Sequence, residues 1–382
     1  MRFKSSRSFL SITAILLLTV ACTAAPAPTP TSAPKAAPPP AATTAPAAPA
    51  PKPAATPAVV APTAAPKAVA PAKPKALTKL KVAYTAISAN QLPVWIANEQ
   101  KLFQKYGLDV ELVYVASSTT VMNAMVAGEI PITYGVTAVP LVSANLAGSD
   151  VVIIAGIYNT VIQYIMVSPN IQQPADLKGK ALGVSRFGSL TDVTVRFALD
   201  KWGLVPDKDV AVLQMGGVPE ILSGMQTGAI AGGPLSSPTD LKAREAGFKE
   251  LMDVGAAGFE YPSTTVASTR RFLRDNGPTA LNFLRAIVEA TYLYKTDKEL
   301  SMKVLGQYTK TEDRAMLENT YKAYAGPAAK IPYLTKQALQ AGIDEVAKTN
   351  DKAKDAKPDV FVDWQFVKQL EDSGFIKQTY KE

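Results

Sequence analysis

The 382-residue chain contains no histidine. That absence removes imidazole as general base, as nucleophile activator and as metal ligand in one step. Cys22 is the only cysteine, so no internal disulfide can form. No stretch reaches the ~18 consecutive apolar residues of a membrane-crossing helix; the longest near the N-terminus, Phe9–Val20, is too short. Acidic residues are missing from positions 1–77, which hold Arg2, Lys4, Arg7, Lys35, Lys52, Lys67, Lys73 and Lys75. Those eight account for the whole formal charge of +8, since they leave 32 of the 40 Lys+Arg against 32 Asp+Glu in the remainder. A neutral body has no electrostatic footprint for nucleic acid, so no nucleic-acid partner is expected.

What is present at the N-terminus is a basic start, an apolar run and small residues leading into Cys22. This is the layout of an export leader over residues 1–21, to be removed after export. The segment Leu18-Thr19-Val20-Ala21-Cys22 resembles a bacterial lipobox, with Thr19 where leucine is commonest. The resemblance implies a diacylglyceryl group on Cys22 that ties the mature chain to the membrane. From Thr23 to Leu77 the chain is almost wholly Ala, Pro, Thr, Val and Lys, and 16 of its 30 prolines precede position 78. Such chain has nothing to bury. At ~3.1 Å per residue in the polyproline form it reaches on the order of 150 Å, so residues 22–77 read as a disordered tether.

From Leu80 short apolar runs alternate with amphipathic stretches, the pattern of a mainly parallel sheet flanked by helices. Leu80–Tyr84, Asp109–Val115, Ile130–Tyr134 and Val151–Ile157 read as strands, and Val94–Tyr106 as one helix closed by Gly107. A second such unit begins near Tyr164, with strands at Lys180–Val184, Val210–Gln214 and Ile230–Ala231 and helices at Ser189–Trp202 and Val218–Thr227. The C-terminal region, including Pro278–Tyr294, Lys298–Leu305, Asp313–Tyr324 and Trp364–Gly374, reads as helical. The fold class expected is α/β with two lobes and a cleft between them.

Four segments carry a resemblance: LPVWIANEQKLFQKYGLDVELV (Leu92–Val113), AMVAGEIPITYG (Ala124–Gly135), DLKGKALGVSRFGSLTD (Asp176–Asp192) and GGVPEILSGMQTGAIAGGPLSSP (Gly216–Pro238). Together, over about residues 80–270, they resemble the solute-binding proteins for alkanesulfonates, taurine, nitrate and thiamine-pyrimidine precursors. The resemblance implies a class II periplasmic-binding fold, with lobe one at 78–163 plus 269–382 and lobe two at 164–268. It implies a small-molecule ligand, no cofactor, an ABC permease with its cytoplasmic ATPase as partner, and a monomer in the cell envelope. Matched position by position, it points to Asn90, Gln91 and Leu92, to Ser117 and Ser118, and to Val136 and Thr137 in lobe one. In lobe two it points to Gly188, Ser189, Pro234 and Leu235. The chain departs from the family in having Gly232 and Gly233 where relatives carry an aromatic or charged residue, and Leu190 and Thr191 where many continue with histidine.

Ligands of open α/β sheets sit at the carboxyl ends of the strands. The loops so placed are Ala86–Pro93, Val115–Thr120, Gly135–Pro140, Phe187–Thr191 and Gly232–Pro238, and none holds a charged residue although the chain is 19% charged. Recognition through hydroxyls, amides and backbone N–H groups is therefore expected, with helix N-termini able to hold an oxyanion. Phe187, Thr191 and Tyr261 are further candidates, the two rings as stacking surfaces. Trp95 reads as core. Two other functions fit the same scaffold: a ligand sensor for a membrane receptor, and a thiamine-pyrimidine synthase, whose histidine and cysteine chemistry this chain lacks after Cys22. If Cys22 carries the anchor, Cys22→Ala releases the mature protein from membranes with its fold unchanged; fractionation that leaves the variant membrane-bound refutes lipidation.

Overall fold

The computed structural model describes residues 76–382, so the leader, Cys22 and nearly all of the tether lie outside the described residues. The chain runs β1 (Thr78–Tyr84), α1 (Leu92–Glu99), α2 (Leu102–Lys105), β2 (Leu108–Tyr114), α3 (Ser118–Val126), β3 (Ile132–Val136), α4 (Ala138–Leu146) and β4 (Val151–Thr160). It crosses to β5 (Tyr164–Val167), β6 (Ala181–Val184), α5 (Leu190–Lys201), β7 (Ala211–Gln214), α6 (Val218–Gln226), β8 (Gly232–Leu235), α7 (Thr239–Glu245) and β9 (Lys249–Asp253). It returns as β10 (Glu260–Thr269) and continues through α8 (Arg270–Thr296), α9 (Lys298–Thr309), α10 (Arg314–Ala325), α11 (Lys336–Ala347), α12 (Gln365–Asp372) and α13 (Phe375–Tyr380).

Two five-stranded sheets result, ordered β2-β1-β3-β10-β4 and β7-β6-β8-β5-β9. In each, four strands run one way and one runs against them. The reversed strands are β10 and β5, the two by which the chain enters a sheet from the other lobe. β4 is buried from Val151 to Tyr158, as a strand covered on both faces should be, and its sequence VVIIAGIY is accordingly apolar without alternation. The edge strand β2 alternates, LDVELVY, because only one face is fully covered.

Three boundaries differ from the sequence reading. The helix expected over 94–106 is broken at Lys101, whose φ of 55° is left-handed, into α1 and α2. The second lobe expected to extend to 268 ends earlier, since β10 pairs with β3 and β4 in the first sheet from Glu260 onward. Its run of apolar and β-branched residues is legible as a strand, but nothing local says which sheet receives it. The expected loop 232–238 begins as strand β8. Its Gly232 and Gly233 are there because a Cβ would stand 2.4 Å from the Met166 carbonyl oxygen or 2.6 Å from that of Gly183.

The crossings at 161–163 and 254–259 lie side by side, bonded from Val254 N–H to the Gln163 carbonyl (3.1 Å) and from Val161 N–H to that of Phe259 (3.4 Å). Trp95 is fully buried as expected, stacked on Tyr308 with ring centroids 4.5 Å apart. On the other side of the first sheet α11 packs on α4 through Gly342, where a Cβ would lie only 2.4 Å from that of Ala138. Gly342→Ala gains about 1 kcal/mol at most in helix propensity against an overpacking cost of about 1–3 kcal/mol. It should lower the melting temperature by roughly 2–6 °C. Calorimetry finding no decrease would show that α4 and α11 part freely.

Candidate ligand cleft

Parallel pairing sets the geometry of the site. Tyr84 pairs with Tyr114 on one side and Tyr134 on the other, so β1, β2 and β3 release their following loops at one edge. In the second sheet Val184 pairs with Gln214, and β6 and β7 end together in the same way. Helices α3 and α4 from the first lobe and α5 and α6 from the second begin at this edge. The cleft between them encloses about 670 Å³, counted to its open mouth, and every side chain lining it is uncharged.

On the first-lobe wall Ser117 (φ 79°) is the N-cap of α3, and its Oγ accepts from Thr119 N–H at 3.3 Å. Ser118, one position on, is not a cap; its hydroxyl reaches the Gly135 carbonyl at 3.4 Å. Thr85 Oγ1 donates to the same carbonyl at 2.7 Å. Gly135 has φ 95°, and a Cβ there would stand 2.5 Å from Thr85 Oγ1 and 2.6 Å from Gln91 Nε2. Asn90 donates to Thr264 Oγ1 at 2.8 Å. Asn90 Oδ1 and Thr137 Oγ1 are buried with no hydrogen-bond partner within the protein.

On the second-lobe wall three hydroxyls form a triangle: Ser185–Ser189 at 2.8 Å, Ser185–Thr191 at 2.9 Å and Ser189–Thr191 at 2.9 Å. Ser189 is the N-cap of α5 by position, but its hydroxyl turns to the Arg186 carbonyl at 2.6 Å instead of capping. Asp192 Oδ2 accepts from Gly188 N–H at 2.8 Å and Oδ1 pairs with Arg196 at 3.0 Å, which fixes the loop. Two bonds join the walls: Thr119 Oγ1 donates to the Phe187 carbonyl at 2.9 Å, and Ala89 N–H to that of Ser237 at 3.2 Å. Tyr158 and Tyr324 close the back, Tyr158 donating to the Tyr324 carbonyl (3.0 Å) and Tyr324 to that of Ile162 in the crossing (2.5 Å). Burial, with a lesser contribution from the Glu220 charge, pushes the Tyr114 phenol up to about 12, so at neutral pH it stays a donor.

Of the residues singled out in the sequence, Asn90, Ser117, Ser118, Thr137, Ser189 and Thr191 line the cleft. The others do not. Gln91 lies behind Gly135, its Oε1 3.4 Å from Thr85 N; Leu92 belongs to the first core; Val136 and Leu235 are fully buried strand residues. Pro234 is paired with Ile165 inside β8. Tyr261 is buried against Phe259, its hydroxyl accepting from Val139 N–H at 3.1 Å. Phe187 is 45% exposed outside the cleft, and Gly188 faces a neighbouring groove. The sequence reading missed Thr85, Ser185, Gln163, Ser263 and Tyr324. Thr85 and Ser185 follow β1 and β6 directly, a signal available had the loops been started one residue after each strand. Tyr324 comes from a distant helix and had none.

A family model described as NMT1/THI5 like matches residues 88–299, which include both crossings and both walls of the cleft. The chain belongs to the NMT1/THI5-like family. YtlA of Bacillus subtilis strain 168, named a candidate binding protein, is 24% identical over 221 residues, which is 56% of this chain and 66% of YtlA. The chain thus spans just under two thirds of that relative. A solved protein from Bordetella bronchiseptica RB50 superposes with TM-score 0.70 at 20% identity, over 80% of this chain and 98% of its own. The alkanesulfonate-binding protein SsuA of Xanthomonas axonopodis pv. citri, solved with MOPS, gives TM-score 0.63 at 20% identity over 74% and 96%. These likenesses show the periplasmic-binding-protein fold.

In this NMT1/THI5-like chain Gly135 is the residue on which the first-lobe wall turns. Gly135→Ala meets left-handed strain of about 1–3 kcal/mol and must displace Thr85 or Gln91. It should lower the melting temperature by several degrees, as read by thermal denaturation; a variant as stable as the parent would mean that Thr85 and Gln91 move at little cost.

Proposed function

We propose that this protein is an extracytoplasmic solute-binding protein that captures a small organic or oxyanionic molecule, of sulfonate, carboxylate or pyrimidine type, and delivers it to an ABC permease and its ATPase. The lobes correspond to residues 78–163 with 260–382 and to 164–259, and a lipid on Cys22 holds the mature chain to the outer face of the membrane. The observation that carries this reading is the uncharged interlobe cleft in which polar atoms are buried without partners in the protein. Its lining has no carboxylate, amine, thiol or imidazole to move a proton, which supports binding without catalysis. Membership in a family with relatives named as binding proteins supports the same reading.

Thr137 provides the test, because its hydroxyl makes no bond that the fold needs. Thr137→Ala should leave the unliganded melting point within about 0.5 kcal/mol of the parent. A ligand that binds only the folded form at a hundredfold excess over Kd stabilises it by about 2.7 kcal/mol. In a thermal-shift panel of sulfonates, carboxylates, nitrate and pyrimidines, at least one molecule should raise the melting temperature, and Thr137→Ala should shrink that rise. A full rise retained in both Thr137→Ala and Ser189→Ala places the ligand elsewhere.

A further inference from the structure

The two walls of the cleft differ in sign although neither carries a charged lining residue. Four helices of nine residues or more begin there, α3 and α4 on lobe one, α5 and α6 on lobe two. The first turns of α3 and α4 contain no acid. Those of α5 and α6 each contain one, Asp192 and Glu220. A helix N-terminus behaves as roughly half a positive charge, so a full carboxylate in its first turn more than offsets it. Asp192, only 4% exposed, binds Gly188 N–H, and Glu220 folds over the α6 cap, its Oε2 2.5 Å from where a Cβ on Gly217 would be. Lobe one therefore keeps its positive helix ends, and lobe two cancels its own.

Counting hydroxyl hydrogens gives the same polarity independently. Ser185, Ser189 and Thr191 own three hydrogens between them. Their three mutual contacts and the bond from Ser189 to the Arg186 carbonyl need four. Lobe two is short of donors. Lobe one has donors to spare: Ser117 Oγ serves only as an acceptor from Thr119 N–H, and Thr137, 1% exposed and lining the cleft, has a hydroxyl with no partner in the protein.

We infer that the cleft takes a small dipolar solute in one orientation, its oxyanion or carbonyl end on Ser117 and Thr137 and its N–H-bearing end on the Ser185–Ser189–Thr191 hydroxyls. This rests on the reading of the cleft as the binding site. The acceptor end meets uncommitted hydroxyls and uncompensated helix ends, while the donor end supplies the hydrogen that the hydroxyl triangle lacks and faces Asp192 and Glu220.

The experiment is calorimetric titration of the mature chain with two matched pairs, propanoate against 3-aminopropanoate and ethanesulfonate against 2-aminoethanesulfonate. The amino member of at least one pair should bind roughly tenfold tighter, as a charge-assisted hydrogen bond would give. Glu220→Gln, at an exposed position where the fold is not at risk, should weaken the amino member roughly threefold and leave its partner unchanged or tighter. Equal or tighter binding of the unsubstituted acids overturns the orientation. So does a Glu220→Gln effect equal on both members, and so does failure of every member to bind. The reading of the cleft is judged separately: it stands if a molecule of the wider panel loses thermal shift in Thr137→Ala, and falls if none does.

Discussion

The parallel register that ends β1, β2 and β3 at the paired tyrosines 84, 114 and 134 is the constraint on which the cleft depends. Because these strands stop together, their loops open on one edge, and the helices after them start with their N–H groups facing the same space. Gly135 then lets the β3 carbonyl collect the hydroxyls of Thr85 and Ser118, a convergence that any side chain at 135 would push apart. The second sheet repeats the scheme at Val184 and Gln214, which supplies the opposing wall.

A wall of hydroxyls and helix ends holds a polar guest differently from one with lysine or arginine. Fixed dipoles in a site screened from water act strongly, and no long charged side chain has to be ordered when the guest arrives. Discrimination then comes from matching each donor to an acceptor, since a buried polar atom left unmatched costs about 1–3 kcal/mol. Asn90 Oδ1 and Thr137 Oγ1 are such atoms on one wall, and the hydroxyl triangle is their counterpart on the other.

The cleft is coupled to the crossings between lobes through Tyr324. Its ring lines the cleft, its hydroxyl bonds the Ile162 carbonyl in one crossing, and its own carbonyl receives the Tyr158 hydroxyl. Lys295 fixes that segment by donating to the carbonyls of Ala325, Gly326 and Ala328 at 2.7–2.8 Å. The C-terminal helices, outside the part of the chain that the family model covers, thus contribute a wall to the site.

The sequence by itself determined the α/β class, the repetition of strand, loop and helix in two lobes, and the uncharged character of the cleft, because periodicity and composition are local properties of the chain. It also placed Ser117, Ser118, Thr137, Ser189 and Thr191 near the site, since hydroxyl residues directly after apolar runs mark where strands give way to helices. Only the tertiary structure decided which way each side chain points. Val136, Leu235 and Tyr261 sit within one or two residues of cleft positions, yet the pleat and the core turn them inward. It alone returned β10 to the first sheet, and it alone brought Tyr324 to the cleft. Such long-range pairings depend on which surfaces bury each other once both lobes exist, and no window of neighbouring residues holds that information.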